Sequence, residues 1–193
     1  KPLPMNGAML RGLLDNLSKG IDRMRPPKAK NSWIRYAEEL PYPPVAAERK
    51  KRIVSSWLRR ISPDTLWDLG ANTGAFSLAA ASQVPFILAL DSDHGSIEHL
   101  WEEVRSRGIK NLLPLWMDLA DPSPSQGWMG LERASLFDRG PADLVLALAL
   151  VHHLTFCALI PVNRLADFFA RCGKHLILEF PGPKDRQVKA LVA

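Results

Sequence analysis

Two cysteines, Cys157 and Cys172, are the only thiols in this 193-residue chain. They cannot build a disulfide framework, and alone they cannot hold a structural zinc. They read as reduced side chains packed in or near helices, and a reducing cytoplasm is the expected compartment. No metal site is expected. No apolar run approaches the roughly 20 residues needed to cross a bilayer. No signal peptide is evident, so no membrane partner is expected. Internal repeats and low-complexity tracts are absent. The dinucleotide spacing G-x-G-x-x-G is also missing, which argues against a nicotinamide-dependent oxidoreductase.

What is present suits a globular α/β domain with an extension. Hydrophobic residues make up 47% of the chain, too many for a disordered protein. Charge is uneven. Residues 1–60 carry 14 Lys or Arg against 5 Asp or Glu, and residues 61–193 carry 11 against 15. A basic arm on an acidic body suggests either an anionic partner or a solvated helix face. The basic residues are not interleaved with stacking aromatics, so nucleic acid is possible but not favoured.

Five apolar runs organise the acidic part. Leu66-Trp67-Asp68-Leu69-Gly70-Ala71-Asn72-Thr73-Gly74 reads as a strand entering a tight turn that opens a helix. Glycines at 70 and 74 let a ligand approach the backbone. Asp68 repels a phosphate there and favours a ligand bearing an amino group. Pro85 to Asp91 and Leu112 to Asp118 are two further runs that end in an acid. In an open α/β sheet, ligands lie at the carboxyl ends of the strands, where a carboxylate such as Asp91 suits ribose hydroxyls. Asp143 to Leu154 forms another run, ending in His152-His153-Leu154, and Lys174 to Phe180 reads as a fifth strand.

This series resembles the motif order of class I S-adenosylmethionine-dependent methyltransferases. At finer grain, Leu66–Phe76, Ala142–Leu154 and Leu176–Phe180 are similar to a bacterial group that includes nodulation-associated methyltransferases. The resemblance implies a Rossmann-like, doubly wound, mostly parallel sheet flanked by helices, with S-adenosylmethionine as cofactor. It implies cofactor contacts from Asp68, Gly70, Ala71, Asn72 and Gly74, ribose contacts at Asp91 and Ser92, and adenine contacts at Asp118 and Leu119. His152 and His153 fall where the methyl group should point. Histidine titrates near neutrality and is a candidate general base. Adjacent residues of an extended segment face opposite ways, so at most one of the pair can readily face the methyl group, and His152 is favoured over His153. Glu179 is a further candidate.

The domain reading is an arm over residues 1–30 and a methyltransferase domain over 31–193. Leu10, Leu13, Leu14, Leu17, Ile21 and Met24 repeat at helical spacing before Pro26-Pro27. Trp33, Tyr36 and Tyr42 sit near a Pro-rich connector, with Trp33 and Tyr36 candidates for closing over the cofactor. A second helix is marked by Ile53, Val54, Trp57, Leu58 and Ile61. Ile97, Leu100, Trp101 and Val104 predict one helix, with Gly108 as its stop. Val162, Leu165, Ala166 and Phe169 predict another, stopped by Gly173. After a breaker at Pro181-Gly182-Pro183, a last helix is expected from Lys184. The sixth and seventh strands usual in the family have no counterpart in the sequence. The expected reaction is methyl transfer to an unidentified small-molecule or glycan-linked acceptor. The alternatives are a cofactor-binding interaction module without catalysis and an RNA-directed methyltransferase, although the Asn-Pro-Pro-Tyr type motif of amino-directed nucleic-acid enzymes is absent.

Overall fold

The computed structural model describes residues 6–24, 44–180 and 182. The expectations for Pro26-Pro27, Trp33, Tyr36, Tyr42 and the helix from Lys184 lie outside the described residues. The chain divides into two compact units, residues 1–30 and 31–193.

The first unit contains α1 (Gly7–Arg23). The Asn6 side chain caps it by accepting the Met9 amide at 2.9 Å. This satisfies one of the donors that a helix start leaves open.

The second unit begins with α2 (Pro44–Ile61) and continues through β1 (Thr65–Leu69), α3 (Ala75–Ala80), β2 (Phe86–Asp91) and α4 (His94–Ser106). It then runs through β3 (Leu112–Trp116), β4 (Ala142–Ala147), α5 (Val162–Cys172) and β5 (Gly173–Leu178). All neighbouring strands pair parallel, in the order β3-β2-β1-β4-β5. The chain winds outward from β1 to β3, then crosses back to place β4 on the other side of β1. That reversal leaves a crevice at the carboxyl ends of β1 and β4.

Alternation along the strands feeds two cores. Leu66, Ile87, Ala89, Leu144 and Leu146 pack with Val54 and Leu58 of α2, Ala80 of α3, and Leu100 and Val104 of α4. Trp67, Leu69, Leu88, Leu90 and Val145 pack with Leu165 and Phe169 of α5. Each such side chain, fully buried, stabilises the fold by about 1.5–3 kcal/mol over its exposed state. Asp68 lies on the first of these faces, next to α3.

At the opposite end of the sheet, Asp143 ties three strands together. Its Oδ2 accepts the Thr65 amide and hydroxyl, each at 3.0 Å, and its Oδ1 accepts Lys174 Nζ at 2.8 Å. These donors hold its carboxyl down at about 2.

Trp101 is 48% exposed, and the Arg105 guanidinium lies over its ring, 5.2 Å from the centroid. Gly173 ends α5 as expected, as its C-cap, with its amide donating to the Phe169 carbonyl. It is extended and starts β5 directly, and a Cβ there would meet Val145 Cγ2 at 2.5 Å.

Candidate functional site

The loop after β1 hangs from the end of β2. The Gly70 and Ala71 amides both donate to the Leu90 carbonyl, at 2.8 and 2.9 Å. Gly70 (φ 74°), Asn72 (φ 49°) and Gly74 (φ 76°) are left-handed. Such backbone is open to glycine and tolerated by asparagine. The turn brings the Asn72 amide to Asp91 Oδ2 at 2.7 Å, while the Asp93 amide reaches Asp91 Oδ1 at 2.8 Å. Asp93 in turn caps α4 by accepting the Ser96 amide at 2.8 Å.

Around this loop lies a cleft of about 910 Å³, at the upper end of the range for small-ligand sites. Asp68, Gly70, Ala71, Asn72, Asp91, Ser92, Asp118, Leu119 and His153 all line it. Gly74 does not. Its missing Cβ faces Leu100 of α4, whose Cδ1 would lie 2.2 Å away. Gly74 therefore packs against Leu100, and its lack of a side chain lets α4 seat against the loop.

Asp68 is 2% exposed and accepts the Ser77 hydroxyl at 2.5 Å. Burial raises its carboxyl from 3.8 to about 6, against the Ser77 hydrogen bond, while nearby Asp91 pushes it up and Lys50 draws it down. Burial also raises Asp91, against the amides it accepts. The Asp118 carboxylate stands exposed two residues beyond β3, and one oxygen accepts the Ala120 amide at 2.8 Å. Leu119 beside it is buried.

The histidine pair corrects the sequence reading. The chain does not stay extended after β4: it turns helical at Val151, and His153–Cys157 form one wide π-helical turn. The rings lie 4.2 Å apart instead of on opposite sides. His152 is 2% exposed and does not line the cleft, whereas His153 does. Burial, with His152 second, lowers the His153 imidazole to about 4. It is neutral at physiological pH.

Sequence reasoning missed Lys50. Its ammonium lies 2.6 Å from Glu179 Oε2 and 5.0 Å from the Phe76 ring centroid, inside the cleft. The signal was its phase: Lys50, Val54, Leu58 and Ile61 fall on one stripe of α2, within a run of four bases from Arg49 to Arg52. The exposed Cys157 also lines the cleft. Among the described residues, no group of three acidic, histidine or cysteine side chains is placed to hold a metal. No helix among them is long and apolar enough to cross a membrane.

Solved structures share this fold. A 2.2 Å crystal structure of WbdD aligns with TM-score 0.55 and 17% identity, over 72% of this chain and 30% of that one. An S-adenosylmethionine-dependent methyltransferase from Clostridium acetobutylicum ATCC 824 aligns with TM-score 0.50 and 16% identity, over 76% of this chain and 54% of that one. The fold is that of the S-adenosylmethionine-dependent methyltransferases. In sequence, the methyltransferase-fold chain is 31% identical over 185 residues to nodulation protein NoeA of Rhizobium meliloti (strain 1021). That match covers 95% of this chain and 39% of NoeA, so the chain spans about two fifths of this curated relative. No protein-family model matches the sequence.

Proposed function

We propose that the chain binds S-adenosylmethionine and forms the methyl-transfer unit of a protein acting on a small-molecule or glycan-linked acceptor. The observation that carries this is the buried Asp68 carboxylate, set in a cleft whose described lining residues include five carboxylates against three Lys or Arg. Such a site favours a cation and disfavours a pyrophosphate. The donor set fits the cofactor: Asp68 for an ammonium, Asp91 for the ribose diol, and Asp118 with apolar Leu119 for an adenine edge. The volume of about 910 Å³ leaves space for a small acceptor as well.

When bound, S-adenosylmethionine supplies an electrophilic methyl on a sulfonium. The chain's own residues hold the reactants close and in line, an effect worth up to about 7–11 kcal/mol in well-oriented systems. His153 faces the cleft in its neutral form, so it can accept a proton from an acceptor hydroxyl or amine.

Titration calorimetry with S-adenosylmethionine, S-adenosylhomocysteine and NAD tests the binding. Uptake of the first two and little uptake of NAD is expected. Binding of NAD alone, or of none of the three, would overturn the reading. Transfer of labelled methyl into separated small-molecule, glycan and RNA fractions then identifies the acceptor class. Label found only in RNA would reject the acceptor proposed here.

A further inference from the structure

The charges of the cleft are segregated. Among the described residues, its carboxylates sit at or near strand ends: Asp68 on β1, Asp91 and Asp93 at β2, Asp118 after β3 and Glu179 after β5. Its described Lys and Arg residues sit on α2, and among these Lys50 forms an ion pair with a strand-end acid, Glu179. Lys50 is also close enough to Asp68 to lower its carboxyl. For a zwitterion with its ammonium at Asp68, the cations that could meet its anionic end lie, among the described lining residues, on α2.

We propose that Lys50 is the specificity residue for the α-carboxylate of an amino-acid ligand end, with Glu179 holding the ammonium in place. The proposal rests on the cofactor reading above and narrows it. A lysine ammonium has three donors. Glu179 occupies one, and the side chain remains part-exposed toward the cleft, so other donors are available to a ligand. The ion pair and the Phe76 ring fix where those donors sit. Glu179 is a positioning residue: it orients Lys50 and offers the ligand carboxylate only repulsion.

The ligand itself provides the first test, on the unaltered chain. S-adenosylhomocysteine should bind at least tenfold more tightly by calorimetry than its decarboxylated analogue, the lower end for a charge-assisted hydrogen bond. Equal affinities would overturn the proposal without any variant. If neither ligand binds, the cofactor reading fails first, so the two failures are distinct. The second test uses Lys50→Met. It should lose at least tenfold in affinity for S-adenosylhomocysteine and change less than twofold toward the decarboxylated analogue and 5′-methylthioadenosine. An equal loss on all three ligands would show that Lys50 only supports the fold of the cleft, and no loss on any would show that it is a bystander. If Lys50→Met does not fold, Lys50→Arg should keep the carboxylate preference, and a preference abolished in the folded arginine variant would count against the assignment.

Discussion

Asp68 should make the protein less stable as the cost of a binding-ready cleft, and the cost can be worked out. Its carboxyl is raised from 3.8 to about 6, chiefly by burial. The native state therefore holds a proton more tightly than the unfolded chain. Native stability is full below about pH 4 for this group and falls as pH rises through about 6. A shift of about two units corresponds to about 3 kcal/mol. Asp68→Asn removes the ionisation and keeps an oxygen to accept the Ser77 hydroxyl. At pH 7.5 the variant should therefore melt higher, with a ceiling of roughly 6–12 °C for a chain of this size. At pH 4 the two proteins should melt together, because wild-type Asp68 is then protonated. Calorimetric melting at both values measures this, and titration with S-adenosylmethionine should show the more stable variant binding at least tenfold more weakly. A variant that melts lower at pH 7.5, or whose advantage is the same at both pH values, would refute the reasoning.

Gly74→Ala should destabilise by about 2–5 kcal/mol, combining the left-handed backbone with the Leu100 clash. Urea unfolding should show this loss, and a coupling with Leu100→Ala in a double-mutant cycle would locate the steric part. His152→Ala should lower stability because its ring is buried, while His153→Ala should leave the melting temperature nearly unchanged. If His153 takes the acceptor proton, that variant should lose about 10²–10⁴-fold in turnover. Wild-type turnover should then fall only as pH drops toward about 4, where His153 becomes charged. Iodoacetamide should label Cys157, and S-adenosylhomocysteine should slow that labelling. Cys172, buried and with its thiol pushed up to about 12, should label only on denaturation, as peptide mass spectrometry can check.

The sheet was legible because each strand is a short apolar run, and the acids at two strand ends told where a ligand would lie. Asp91 is the last residue of β2, as expected. Asp118 was harder: the run Leu112–Asp118 looks like one strand, but β3 stops at Trp116 and the acid belongs to the following turn. The preference for His152 over His153 rested on period-two alternation carried past β4 into what is a helical turn. For Gly74, sequence alone could not show that the glycine admits a neighbouring helix; that depended on Leu100, 26 positions away in the chain. Trp101 has helical spacing with the core residues, yet its ring is part-exposed and partly covered by Arg105. Lys50 was hidden among consecutive bases, and only the α2 stripe that includes Val54 and Leu58 selects it.

The Asp143 anchor has a consequence for how the protein can change. One carboxylate fastens the starts of β1 and β5 to β4, at the end of the sheet remote from the cleft. The foundation of the three strands is thereby set without help from any residue that lines the pocket. Loops at the other end can be lengthened, exchanged or evolved toward a new acceptor while the strand register beneath them holds. Replacing Asp143 would have the reverse effect, leaving every pocket residue intact in composition but loosening the ground on which all of them stand.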